Sequence, residues 1–294
     1  MITEEVFSRW TAPSSDTEQD RQDRTERMIR QAIQAHPAFD GVGLRVFAKG
    51  SYANNTNVKA DSDVDIAVEC TEAVYWEEAK PDTRQRPINN PYRGEWTPEK
   101  LRAELVAALQ EKFPGGVDAS GSTAIQILPG SSRVNADVVP CFSYRYYLAT
   151  DNWREGTMVF KKDLTRIRNY PNQQLSNGKA KNVRTGNRYK RIVRIFKRIE
   201  NAMVAEGLHR EVPSFFVECL VYNCPDDVLA GETWVESVKK TLVHLWMLLE
   251  GEEPADSSSR MLESNECKYL FHSAQAWTRQ DGRDFIQAAW NYVV

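Results

Sequence analysis

No C-x-x-C pair occurs among the five cysteines, at positions 70, 141, 219, 224 and 267, and their number is odd. That argues against a disulfide framework, and reduced, buried thiols are the expectation, three of them in apolar strand or helix surroundings. Histidine is sparse too, with four residues. The best zinc-like grouping, Cys219, Cys224, Cys267 and His272, lacks the usual ligand spacings, so a structural zinc is not expected. No apolar run approaches the ~20 residues of a membrane-spanning helix, and the opening MITEEVFSRW carries no basic-then-apolar signal. A cytoplasmic protein without membrane contact is the expectation. No internal repeat interrupts the chain.

What is present is ordinary in amount and uneven in placement. The 294 residues are 41% hydrophobic and 27% charged, enough for a sizeable core in one large domain or two. The informative stretch is residues 46–69, VFAKGSYANNTNVKADSDVDIAVE. It reads as a strand, a Gly50-Ser51 turn, a short helical or irregular link, and a second strand over 64–70 entered through Asp63 and Asp65. Residues two apart on a strand share a face, which sets these two carboxylates about 7 Å apart at Cα. Like charges that close need a counter-ion, and Mg²⁺ accepts one or two carboxylates while filling its other positions with water and phosphate oxygens. Gly50, without a Cβ, lets the backbone approach a phosphate, and main-chain N–H groups with the Ser51 hydroxyl would hold it. A phosphate-holding turn beside a two-carboxylate strand is the layout of a nucleotidyl transferase. D-x-D or G-S alone is weak, whereas G-S-x11-D-x-D between apolar strands is specific.

Two-metal phosphoryl transfer calls for a further acid from a neighbouring strand. The stretch RVNADVVPCF, residues 133–142, supplies Asp137 between apolar Ala136 and Val138. A water-facing strand carboxylate is the alternative reading of Asp137. The strands 123–128 and 133–142 form a hairpin, and a helix over 98–113 with Leu101, Leu105, Ala108 and Leu109 at helical spacing lies behind a mixed sheet.

Residues 16–36 form a long helix, with acids early and arginines late and only Met28, Ile29 and Ile33 as an apolar stripe. Residues 71–98, rich in Pro, Arg and Trp, read as a long surface loop. From 161 to 198, thirteen Lys and Arg face one acid, Asp163, in a chain of net charge −3, which suggests one basic feature that docks an anion. On the helix from about 188, Lys190, Arg194 and Lys197 align at i, i+4 and i+7 beside an apolar face, as a pocket wall would, with a solvated basic face as the alternative. Ser214 heads the next helix, where its hydroxyl would cap it. Asn169 before Tyr170-Pro171 offers both donor and acceptor to a base edge, or simply occupies a turn. The remainder is helical over 215–222, 234–249 and 279–292, with Trp246, Met247, Leu248 and Leu249 expected in the core.

The GS…DVD turn with the later Asp137 resembles the polymerase-beta-type nucleotidyltransferases. More narrowly it resembles the bacterial cGAS/DncV-like nucleotidyltransferases, clade E. Gly156-Thr157-Met158-Val159-Phe160, Asn169-Tyr170-Pro171, Asn177-Gly178, Tyr189-Lys190, Phe196-Lys197 and PSFFVECLVYNCPD over 213–226 extend the likeness across most of residues 40–230. The resemblance implies an α+β fold. A mixed-sheet palm with an N-terminal bracing helix would occupy residues 1–170, and a helical nucleotide-binding lobe 171–294. It implies catalytic, metal-binding Asp63, Asp65 and Asp137 around two Mg²⁺ ions, with Mn²⁺ as a substitute. Gly50, Ser51, Lys197 and Ser214 would meet the triphosphate and Asn169 the base. The implied activity joins two nucleoside triphosphates, ATP and UTP first, GTP or CTP otherwise, into a cyclic dinucleotide without a template. The product would act on a separate effector protein in antiphage signalling, and the enzyme would be a monomer. A linear oligonucleotide synthase, another small-acceptor or RNA nucleotidyltransferase, and a non-catalytic nucleotide-binding module are the rival readings.

Overall fold

The computed structural model describes residues 2–58, 63–80 and 92–294. In chain order its elements are α1 (Glu4–Trp10), α2 (Asp16–Ala35), β1 (Leu44–Lys49), α3 (Gly50–Ala53), β2 (Val64–Glu78), α4 (Pro98–Lys112), β3 (Val117–Asp118) and β4 (Ile125–Ile127). There follow β5 (Ala136–Ala149), β6 (Asn152–Phe160), β7 (Arg166–Asn169), α5 (Pro171–Arg184), α6 (Tyr189–Ala205), α7 (Ser214–Tyr222), α8 (Trp234–Leu249) and α9 (Arg279–Val293). The chain divides into two units, one of residues 15–52 and 59–171, the other of residues 2–14, 53–58 and 172–294.

Alternation builds the sheet unit. In β2 and β5, Val64, Ile66, Val68, Ala136, Val138 and Phe142 pack on one face against Ile29, Ile33, Leu101, Leu105 and Leu109 of α2 and α4. The intervening residues turn to the other face, where Ala67, Val139, Cys141 and Val159 form a smaller cluster. Strand order is β1-β2-β5-β4-β3, with β6 on β5 and β7 on β6. β2 and β5 run parallel and the remaining pairs antiparallel, a mixed sheet as expected. Ser15 caps α2 by accepting from the Glu18 N–H, and Thr97 caps α4 likewise with Lys100.

Two expectations need correction here. β2 does not stop at Cys70: after a register shift it continues beside Ser143–Tyr147 of β5 to Glu78, so residues 71–78 are strand, not loop. Most of the Pro- and Arg-rich segment, residues 81–91, lies outside the described residues. Trp96, at its end, is buried and stacks on Phe39 at 5.6 Å.

Arg102 of α4 ties down the turn ahead of β4. Its guanidinium donates to the carbonyls of Ala119, Gly121, Thr123 and Ala124. Arg102→Met should strand these oxygens and lower unfolding free energy by about 1.5–3 kcal/mol, read from urea midpoints.

The helical unit packs Phe196, Ile199, Phe216, Leu220, Leu245 and Phe285 into its core. Trp246 and Met247 were expected there. They are 44% and 66% exposed, because α8 turns Leu242 and Leu245 inward with Leu249, which is buried as expected. Cys70, Cys141, Cys219 and Cys224 are buried free thiols. No helix among the described residues is long and apolar enough to cross a membrane.

Candidate active site

β1 delivers the chain into Gly50, whose φ of +69° only glycine adopts without strain. A Cβ there would overlap Asp65 Oδ2 and stand 3.0 Å from its Cγ, so the glycine is required by the carboxylate as much as by the turn. Ser51 follows in the first turn of α3, half-buried.

Strand register assembles the rest. Lys49 lies opposite Asp65, Asp65 opposite Asp137, and Asp137 opposite Gln126, so four polar side chains from β1, β2, β5 and β4 form one row across the sheet. Neighbouring strands are about 4.8 Å apart, which makes the two carboxylates direct neighbours. They share the sheet face of Ala67 and Val139, away from α2 and α4. Asp63 stands just ahead of β2 and is exposed. Asp137 therefore has the expected strand placement, but it faces Asp65 rather than open water alone.

The electrostatics follow from this row. The Asp137 carboxyl is pushed above the usual carboxylate range, first by burial and then by the charges of Asp65 and Asp63. A hydrogen bond from Gln126 and the ammonium of Lys49 work in the opposite direction. Lys49 Nζ donates to Asp65 Oδ1 at 3.3 Å and is the site's own counter-ion. Among the described residues no three His, Cys, Asp or Glu side chains close into a ready-made metal cage. The donor set still fits a hard cation that completes its shell with water and phosphate: carboxylate oxygens in adjacent register, an excess of negative charge, and a glycine that leaves room beside them. Lys49 and Gln126 were not legible beforehand, because only register brings them to the carboxylates.

The other expected site residues lie as follows. Asn169 ends β7, opposite Thr157 of β6, and is half-buried. Its carbonyl oxygen packs so closely behind Gly156 that a Cβ at that position would stand 2.5 Å away. In the helical unit, Lys197 lies within α6 and Ser214 at the start of α7. Arg194 and Lys197 do not line an exposed stripe; they are 6% and 2% exposed. Lys197 Nζ donates to Thr56 Oγ1 at 3.2 Å and lies 3.7 Å from Glu218 Oε2, while burial pushes the ammonium's pKa down against the pull of Glu218. Arg194 donates to the carbonyls of Thr11 and Asn55. Ser214 is the first residue of α7, exposed, and Pro213 takes the cap position with no side-chain cap bond, so Ser214 does not cap.

The basic run 161–198 is not one surface. It is spread over the link after β6, β7, α5 and α6, and four of its charges already have acids: Arg168 has Glu77, Lys181 and Arg184 share Asp226, and Lys197 has Glu218.

Comparison with known proteins gives concordant results. The profile of the cGAS/DncV-like nucleotidyltransferase C-terminal helical domain matches residues 176–294. The cyclic dipyrimidine nucleotide synthase CdnE of Legionella pneumophila is 34% identical over 99% of this chain and 97% of its own length. A cyclic dipurine nucleotide synthase of Elizabethkingia meningoseptica is 31% identical over 99% and 98%. Among solved structures, the Rhodothermus marinus CdnE c-UMP-AMP synthase with Apcpp and Upnpp superposes with a TM-score of 0.84 at 25% identity, covering 99% of this chain and 96% of that one.

Proposed function

This chain belongs to the cGAS/DncV-like nucleotidyltransferases, and we propose that it joins two nucleoside triphosphates into a pyrimidine-containing cyclic dinucleotide, releasing pyrophosphate. The observation that carries this reading is the row in which Asp65 and Asp137 stand in direct register beside Gly50. Two carboxylates side by side on adjacent strands, one of them half-buried, serve no packing purpose and suit a divalent cation.

In this reading Asp63, Asp65 and Asp137 hold Mg²⁺, two ions as in two-metal phosphoryl transfer, with Mn²⁺ as a substitute. When bound, the metal neutralises charge on the entering and departing oxygens. Gly50 and Ser51 seat the triphosphate, and Ser214, exposed at the head of α7, adds a hydroxyl to it. Lys197 contributes through Thr56 rather than by touching phosphate, since its ammonium is buried. A ribose hydroxyl of the second nucleotide attacks the α-phosphorus in line, a new P–O bond forms, and the bond to pyrophosphate breaks. A second round with the linear product reversed closes the ring. The helical residues from 171 onward act as the nucleotide-binding lobe. The protein works as a monomer in the cytoplasm without a template, and its product addresses a separate effector in antiphage signalling.

Asn169 reads the base edge, and the dipyrimidine product named for the Legionella relative favours UTP or CTP as one substrate. Asn169→Ala removes the amide's donor and acceptor. In an equimolar mixture of four triphosphates it should shift incorporation towards purines by about 5- to 10-fold, the worth of about one hydrogen bond. Mass spectrometry of the products reads the ratio, and an unchanged ratio would contradict the role.

Purified protein incubated with Mg²⁺ and all four triphosphates tests the reading as a whole. A phosphatase-resistant dinucleotide lacking two pyrophosphates is expected. A phosphatase-sensitive ladder would instead mark a linear synthase, and bound nucleotide without product a non-catalytic module.

A further inference from the structure

Between the Gly50-Ser51 turn and Asp63 the chain crosses residues 53–58, which carry no strand and almost no helix and nonetheless bury three polar side chains. Asn54 and Thr56 are 0% exposed and Asn57 is 3% exposed. A buried irregular segment must find partners for its polar groups, and here they converge on one side chain. Glu218 Oε1 accepts from Asn54 Nδ2 at 2.9 Å and from Gln174 Nε2 at 3.1 Å. Its Oε2 accepts from Thr56 Oγ1 at 2.8 Å, and Thr56 Oγ1 in turn accepts from Lys197. Arg194 fixes the carbonyl of Asn55, a residue held at φ 52°, and Asn57 donates to Ser14. Both oxygens of a carboxylate that is 1% exposed are thus committed to this segment and its immediate supports.

We propose that Glu218 is a positioning residue for nucleotidyl transfer: from the middle of α7 it grips Asn54 and Thr56 and so fixes the residues that follow the Gly50-Ser51 turn. The inference rests on the functional reading above and adds to it a residue that touches neither phosphate nor metal. Its charge is needed as well as its shape, because Lys197 is buried beside it and would otherwise lack a counter-charge. Glu218 is the only acid that Lys197 meets as an ion pair among the described residues. Thr56 lies five positions after Ser51, so a slackened grip is passed back to the turn along a short covalent path.

The test uses the full chain with two variants. Glu218→Gln removes the charge; Thr56→Val is nearly isosteric, removes the hydroxyl and leaves the Glu218–Lys197 pair in place. Both should lower kcat for pyrophosphate release, Glu218→Gln by about 100-fold, with KM little changed, as misplacement of catalytic groups does. Hydrogen-exchange mass spectrometry should show faster exchange in peptides spanning 51–58 while α8 and α9 stay protected. Unchanged kcat in both variants would overturn the proposal. So would exchange rising evenly through α6–α9 in both, which marks a general loss of packing. If the wild type itself releases no pyrophosphate, the functional reading fails, and the exchange pattern alone decides whether Glu218 anchors the segment.

Discussion

Asp137→Asn should reduce pyrophosphate release by about 1,000-fold or more while leaving the fold intact. The substitution keeps size and shape, and an amide oxygen can still accept from Gln126, so the row across β1, β2, β5 and β4 survives. What is lost is one of the charges that make the site attractive to a divalent cation. Metal-borne charge stabilisation in phosphoryl transfer is worth several kcal/mol, and about 4 kcal/mol corresponds to about 1,000-fold in rate. The same charge is unfavourable when no cation is present, because burial, Asp65 and Asp63 all oppose ionisation of Asp137. Without metal at neutral pH the variant should therefore melt at a higher temperature than wild type. Added Mg²⁺ should raise the wild-type melting temperature more than the variant's, since a ligand stabilises only the protein that binds it. A variant that is inactive and less stable without metal would point to a structural role for Asp137.

Gly50→Ala should cost about 100-fold in activity and only about 1 kcal/mol in stability. An alanine at φ +69° is strained by roughly 1 kcal/mol. Its Cβ meets the end of a side chain rather than backbone, so the fold can yield by swinging the Asp65 carboxylate aside. That movement takes Asp65 away from both Lys49 and Asp137, and a displacement of about 1 Å at a catalytic group is worth about 100-fold. Urea denaturation and pyrophosphate release measured on one preparation separate the two effects. Equal activity with Ala would show that the close approach of Gly50 and Asp65 has no catalytic meaning.

The carboxylates were legible because strand alternation is written in the sequence: polar Asp63, Asp65 and Asp137 interrupt apolar runs at the right parity. Their partners were not. Lys49 and Gln126 reach the site through cross-strand register, which no single strand encodes. The continuation of β2 through Glu78 was missed because Thr71, Glu72, Glu77 and Glu78 look like loop residues, although they pair or flank a long β5 ribbon. The burial of Lys197 was hidden for a related reason. Helical periodicity shows that Lys190, Arg194 and Lys197 share a side of α6 but not what lies against that side. Glu218 and residues 54–57 do, and Arg194 and Lys197 are buried while Lys190 is not. Ser214 was expected to cap α7 from its place after Pro213, and the helix simply begins one residue too early for that. Trp246 and Met247 fail in the opposite sense, since an apolar run on a helix necessarily carries some members to the outer side.

The central claim is that acids at 63, 65 and 137 gather a divalent cation beside the Gly50-Ser51 turn. Its most direct test is a crystal grown with Mn²⁺ and a non-hydrolysable nucleoside triphosphate, measured at the manganese edge. An anomalous peak within ligand distance of Asp65 and Asp137 oxygens, with phosphate oxygens completing its shell near Ser51, is the expected result. Bound nucleotide whose manganese lies away from Asp137 would contradict the account.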